Sequence, residues 1–242
     1  DRAESEPELA QAINATAPGI IAQEAERCAA LFIHYSTDYV FSGQKSAPYV
    51  EEDATGPINV YGRSKLTGEE AVRQRCPHHL IFRTSWVFSA RGQNFVRTML
   101  RLGREREQIS VVADQQGVPT SAAALASATW GTIAVWRNAS GERRRELSGT
   151  YHAVGGPATN WHAFAEEAFR QADRARMSMQ VKNVAAITTA EYPTPATRPR
   201  NSVLSSTRLR ERFGIEVRDW REELKDVVVQ IRDLQQAPIQ SE

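Results

Sequence analysis

Leu31-Phe32-Ile33-His34-Tyr35-Ser36-Thr37-Asp38-Tyr39-Val40 is the stretch on which the fold turns. An apolar run of strand length, closed by Ser-Thr-Asp, predicts a buried β-strand. Leu80-Ile81-Phe82-Arg83-Thr84-Ser85-Trp86-Val87 repeats the pattern downstream. Between them, a helical pattern opened by Tyr61 and carrying Leu66, Ala71 and Val72 stops before Cys76-Pro77, because the residue before a proline avoids helical geometry. Strand, helix, strand in this order predicts an α/β protein with a parallel sheet. In such sheets the ligand crevice lies beyond the carboxyl ends of the strands. Thr37-Asp38 and Ser85-Trp86 are placed there by sequence alone.

The intervening helix opens with Tyr61-Gly62-Arg63-Ser64-Lys65. Side chains at i and i+4 share one helix face, roughly 5–6 Å apart at Cβ. A phenol, an ammonium and the Thr37 hydroxyl can therefore meet in one cleft. A tyrosine with a pKa of about 10 is a poor acid, and a nearby Lys65 ammonium is expected to lower that value. The Thr37 hydroxyl suits a carbonyl oxygen that receives the proton. General acid catalysis with electrostatic support is the chemistry this trio fits. A Tyr-x-x-x-Lys spacing alone is also met on ordinary helix surfaces; its position after the first strand gives it weight.

The remaining composition sets bounds. The chain has 242 residues and is 41% hydrophobic, enough for one large domain or two small ones. A net charge of +1 gives no field for nucleic acid or anionic membrane. The run Arg143-Arg144-Arg145 reads as a solvated loop. Cys28 and Cys76 lack metal or disulfide spacing, as do the five histidines, so no metal site is expected. No apolar run reaches the roughly 20 residues of a membrane span, which points to the cytoplasm by elimination.

Residues 8–30 read as a helix interrupted by Pro18, which removes the N–H that the Asn14 carbonyl would accept from. Ser5 is the expected cap of that helix. Asn94 opens a helix with Phe95, Met99 and Leu102 on one face. Ile109–Val112, Thr150–Val154 and 179–187 read as further strands. Residues 122–136 form an apolar helix, Trp161, Phe164 and Phe169 belong to another, and Trp220 to Leu234 recur at helical spacing. Pro193 to Pro199 is a rigid proline-dense loop holding Arg198.

The segments His34–Phe41, Pro57–Lys65, His79–Phe88 and Tyr192–Pro199 together resemble the dTDP-4-dehydrorhamnose reductase family, within the extended short-chain dehydrogenase/reductases. The resemblance runs from Asp1 to about Leu234. It implies a doubly wound, Rossmann-like parallel sheet over residues 1–148 and a small C-terminal sugar-nucleotide lobe over 149–242, with the chain able to cross between them. The glycine-rich phosphate-binding turn of the family is not seen before Asp1, so the sheet is expected to be truncated at its N-terminal edge. The implied cofactor is NADPH, with NADH an alternative, and the implied substrate is a nucleotide sugar. The catalytic set by resemblance is Thr37, Tyr61 and Lys65, with Asn14 offering its carbonyl to a proton-relay water. Tyr61, Lys65, Ser36 and Ser85 would face the cofactor. Thr37, Asp38, Tyr39, Trp86, Asn94 and Arg198 would face the substrate, Arg198 gripping its diphosphate. Trp86 and Asn94 also have plain explanations, as a core residue and a helix cap. Some relatives bridge dimers through magnesium at a position matched here by Ala123, whose methyl cannot ligate a cation; a homodimer stays open. A non-catalytic sugar-nucleotide-binding homologue and a sugar epimerase are the competing readings.

Overall fold

A computed structural model describes residues 1–236; the last part of the expected C-terminal lobe, 237–242, lies outside the described residues. Phe32–Thr37 forms β1 and His79–Thr84 forms β2, paired in parallel from Phe32 against His79 to Thr37 against Thr84. On the far side of β2, and parallel to it, lies a strand from Gly149 to His152. The three strands make the main sheet, with β2 at its centre. The strand expected near residue 150 thus joins this sheet, and the chain crosses back from the lobe drawn to begin at 149.

Every residue of β2 is buried. That is the signature of a parallel strand covered on both faces. On one face Ile81 packs with Ala22, Val72 and Cys76 from two helices, Ala17–Arg27 and Val60–Arg75. On the other, Leu80 and Phe82 pack with Ala124, Leu125 and Ala128 of Ala122–Asn138 and with Leu209 and Phe213 of Thr207–Phe213. The sheet is doubly wound, as its apolar runs require.

In chain order the helices are α1 (Arg2–Ser5), α2 (Pro7–Gln11), α3 (Ala17–Arg27), α4 (Val60–Arg75), α5 (Phe95–Glu105), α6 (Ala122–Asn138), α7 (Gly141–Leu147), α8 (Trp161–Arg174), α9 (Thr207–Phe213) and α10 (Trp220–Gln236). The short strands are β3 (Val87–Phe88), β4 (Gln108–Val112), β5 (Gln116–Gly117), β6 (Thr120–Ser121), β7 (Gly149–His152), β8 (Thr159–Asn160) and β9 (Asn183–Ile187). β3 pairs with β6, β4 with β9 and β5 with β8, each as a two-stranded unit. α5, α8 and α10 join these strands around a core of Phe88, Phe164, Leu224, Val228 and Ile231. The helical spacing of Trp220 through Ile231 is the buried face of α10.

Some expectations are corrected. Ser5 ends α1 rather than capping a longer helix, and Glu6, at φ −130°, separates α1 from α2. Pro18 does not break its helix. The chain passes from α2 through a π-helical segment, Ala12–Thr16, straight into α3, with Thr16 and Ala17 at helical dihedrals. A π segment holds one residue more per turn than an α-helix, and here it directly precedes the proline that lacks an N–H. The arginine triplet lies in α7, capped by the Ser140 hydroxyl accepting from the Arg143 N–H at 3.2 Å.

Candidate active site

The site is built at the carboxyl end of β1. Thr37 is its last residue, and Asp38–Val40 turns away as a single 3-10 turn. The Thr37 hydroxyl accepts from the Tyr39 N–H at 3.2 Å and donates to Asp38 Oδ1 at 2.9 Å. That pairing leaves Asp38 Oδ2 buried and without a partner among the described residues. Burial raises the Asp38 pKa to about 6, against the Thr37 hydroxyl and neighbouring backbone N–H groups.

α4 brings in the phenol. Asn59 caps it by accepting from the Gly62 N–H at 2.7 Å, which fixes the first turn and therefore Tyr61. Gly62 is required there: a Cβ would stand 2.2 Å from the Tyr39 carbonyl oxygen. Tyr61 meets Tyr39 edge-on at 6.1 Å between centroids. Thr37, Asp38, Tyr39, Asn59, Tyr61, Trp86 and Arg198 line one cavity of about 290 Å³, together with Trp161. An adjoining cavity of about 550 Å³ shares Trp161 and Arg198 with it and is otherwise lined by Phe95, Met99, Arg106 and Tyr192, among others.

Lys65 sits one turn beyond Tyr61, as its spacing requires. Its ammonium does not serve the phenol directly: Nζ donates to the Tyr35 carbonyl at 2.5 Å and lies 3.5 Å from His34 Nε2. Burial lowers the Lys65 pKa, with Glu69 opposing. The expected depression of the Tyr61 pKa is not found. Burial raises it, the Asp38 charge raises it further, and a hydrogen bond with Thr37 only partly offsets them. The His34 ring facing Lys65 is held down to about 4 by burial and then by the lysine charge.

Other candidate residues are engaged elsewhere. Ser36 donates to Glu69 Oε1 at 2.5 Å, inside a buried ion pair in which Arg83 grips Glu69 at 2.9 and 2.7 Å. Ser85 donates to the Val118 carbonyl at 2.6 Å. Alternation explains Ser36: it points to the helix-covered face of β1, away from the crevice that Thr37 reaches. Asn94 caps α5, accepting from the Arg97 N–H at 3.2 Å and donating to the Ser89 carbonyl at 2.9 Å, and it does not line the cavity. The Asn14 amide donates to the Ser64 hydroxyl at 3.0 Å. Its carbonyl oxygen lies against Gly68, where a Cβ would stand 2.0 Å away. Arg198 reaches the cavity wall beside Asp1, 3.6 Å from its carboxylate.

Sequence reasoning missed Trp161, Asn59 and Gln115. Trp161 reads as one more apolar position of α8, yet it stacks on Trp86 at 3.6 Å between centroids and 11° between planes. The available signal was the Asn160 cap, which puts Trp161 in the first turn of α8.

A doubly wound parallel sheet with a Tyr–Lys pair one helical turn apart, and a threonine hydroxyl at the adjacent strand end, defines a protein of the short-chain dehydrogenase/reductase class. The family model described as RmlD substrate binding domain matches residues 1–233, and the chain belongs to that family. It is 47% identical over 221 residues to the dTDP-4-dehydrorhamnose reductase of Shigella flexneri, covering 91% of this chain and 72% of that one. With the enzyme of the same name from Salmonella typhimurium it shares 45% over 231 residues, 96% of this chain and 76% of that one. The crystal structure of dTDP-4-dehydrorhamnose reductase from Bacillus anthracis in complex with NADP superposes with a TM-score of 0.85 at 37% identity, covering 95% of this chain and 76% of that one. A UDP-galactose 4-epimerase, at 15% identity and a TM-score of 0.71, shares the fold. No described helix is long and apolar enough to cross a membrane.

Proposed function

We propose that this chain reduces the 4-keto group of dTDP-4-dehydro-L-rhamnose with NADPH, giving dTDP-L-rhamnose, the activated sugar for surface polysaccharide made in the cytoplasm. The observation that carries the reading is the convergence of Thr37, Asp38, Tyr61 and Arg198 on one cavity, in a chain close in sequence to reductases of that name. The residues fit the cofactor. Tyr61 keeps 38% of its surface exposed. Lys65 carries three donors and gives one to Tyr35, so its ammonium has capacity for ribose hydroxyls beside the phenol.

NADPH, when bound, supplies the hydride that becomes the new C4–H bond. The phenol of Tyr61 gives its proton to O4, so the keto group leaves as a secondary alcohol and the phenolate is reprotonated from solvent. Thr37 holds O4. The partnerless Asp38 Oδ2 accepts a sugar hydroxyl, relieving a buried acceptor. Tyr39 and Trp86 wall the sugar, and Arg198 pairs with the diphosphate. We assign the sugar-nucleotide side to Thr37, Asp38, Tyr39 and Trp86 from the strand ends together with Trp161 and Arg198 from beyond residue 149, and the cofactor side to the sheet.

The test is NADPH oxidation by the purified protein with the keto sugar nucleotide, followed by product analysis. Stoichiometric NADP and a reduced sugar support the assignment. Sugar isomerisation with the cofactor recycled would instead mark an epimerase, and binding of the nucleotide sugar without oxidation would mark a non-catalytic homologue.

A further inference from the structure

Trp86 holds an unusual backbone conformation for its size, with φ at +47°. A bulky residue in the left-handed region is an outlier that the surroundings must enforce. Its indole lies parallel to that of Trp161. Gly117 presses on the same ring, since a Cβ there would stand 2.4 Å from Trp86 Cε2 and 2.5 Å from Cζ2. Trp161 is itself anchored: its Nε1 donates to Gln115 Oε1 at 3.2 Å, and Gln115 Nε2 donates to Thr189 Oγ1 at 3.1 Å. Phe95 backs it at 4.6 Å. Both indoles line the cavity holding Tyr61, and Trp161 also forms part of the wall of the adjoining one.

We infer that Trp161 is a positioning and specificity residue: it clamps Trp86 in its left-handed conformation, so that the paired indoles form one rigid wall dividing the sugar chamber from the cavity beyond. The inference rests on the proposed reading of the site, and adds to it the element that sets the chamber's size. The part of each indole that lines the cavity is mostly apolar and suits the C–H groups of a 6-deoxy sugar. Held rigid, it keeps C4 in register with Tyr61 at no cost in ordering a side chain on binding. Neither Trp161 nor Gly117 is hydrogen-bonded to Tyr61 or Lys65, so the clamp acts on the sugar and not on the cofactor.

The experiment compares wild type with Trp161→Leu, Trp161→Phe and Gly117→Ala. Stacked indoles couple their transitions, so wild type should show a far-ultraviolet exciton couplet that both Trp161 variants lose. Trp161→Leu should raise the sugar-nucleotide KM roughly three- to tenfold, the range an aromatic pair supports, with the NADPH KM unchanged. Trp161→Phe should recover most of the loss, because a smaller aromatic still stacks. Gly117→Ala pushes Trp86 from its other neighbour and should raise the same KM with the couplet altered; it decides the matter if Trp161→Leu does not fold. An unchanged sugar KM in Trp161→Leu or Gly117→Ala, or an equal rise in both KM values, overturns the inference. If wild type shows no turnover, the proposed function fails separately. The clamp is then judged by the couplet and by the sugar-nucleotide Kd from tryptophan quenching, and a couplet that survives in Trp161→Phe refutes it.

Discussion

Gly68→Ala should destabilise this protein, although the same change in most helices does the opposite. Gly68 lies within α4, where alanine is favoured over glycine by about 0.8–1.0 kcal/mol on propensity alone. Here an added Cβ would stand 2.0 Å from the Asn14 carbonyl oxygen and 3.1 Å from its carbon, with Ala15 Cα at 3.4 Å. Ordinary carbon–oxygen contacts begin near 3.3 Å, so the overlap is about 1.3 Å. All three atoms are backbone, and no rotamer change can relieve them. The π segment and α3 would have to move off α4, loosening the bond from Asn14 to Ser64. Overpacking of this kind costs about 1–3 kcal/mol. The steric overlap here belongs at the upper end, which leaves a net loss of about 1–2 kcal/mol after the propensity gain. For a chain of this size that lowers Tm by roughly 2–8 °C. Thermal unfolding followed by circular dichroism or calorimetry reads the result directly. A Tm equal to or above wild type would refute the close approach of Asn14 to Gly68, because propensity alone predicts a rise.

Tyr61→Phe removes the proton donor and should cut kcat by about 10²–10⁴ with little change in sugar KM, read by NADPH oxidation; a loss under tenfold would assign the proton to another group. Asp38 has a folded pKa raised from 3.8 to about 6, so the folded state holds its proton more tightly than the unfolded chain. Its contribution is therefore greatest at low pH and falls as pH rises between about 4 and 6, by up to about 3 kcal/mol. Asp38→Asn should thus gain Tm relative to wild type over that window, and parallel Tm curves would contradict the burial of Asp38. Arg83→Leu leaves the Glu69 carboxylate at 0% exposure with only Ser36 and the half-exposed Arg73 beside it. Urea denaturation should show a loss of about 3 kcal/mol, and a loss below about 1 kcal/mol would mean the pair is not buried as described.

Much of the site was legible along the chain. The apolar run ending in Ser36-Thr37-Asp38 fixed a strand end, and strand ends in a parallel sheet are crevice positions. The i, i+4 spacing fixed Tyr61 and Lys65 on one face of α4. What it did not fix was where the side-chain atoms point their bonds. Ser36 and Thr37 are neighbours in sequence, but alternation sends one to Glu69 and the other to Tyr61's cavity. Lys65 was expected to act on the phenol, yet it bonds the Tyr35 carbonyl, and burial, then the Asp38 charge, push the Tyr61 pKa the other way. Ser85 and Asn94 read as ligand contacts and are held by backbone groups, which polar side chains at strand ends and helix caps commonly satisfy.

The sequence by itself determined β1, β2, β4, β7 and β9, α4 and its Tyr–Lys pair, the final helix, and the family to which these belong, because periodicity and short motifs are local and survive without knowledge of the partners; the break of the expected Leu80–Val87 strand at Ser85-Trp86 and the two-residue strands β3, β5, β6 and β8 were not among them. The stacking of Trp161 on Trp86, the π segment that carries Asn14 past Gly68, the burial that shifts Asp38, and the return of β7 to the main sheet were decided only in three dimensions. Each depends on groups far apart in the chain meeting at contact distance, where exclusion of water and close packing set the energies.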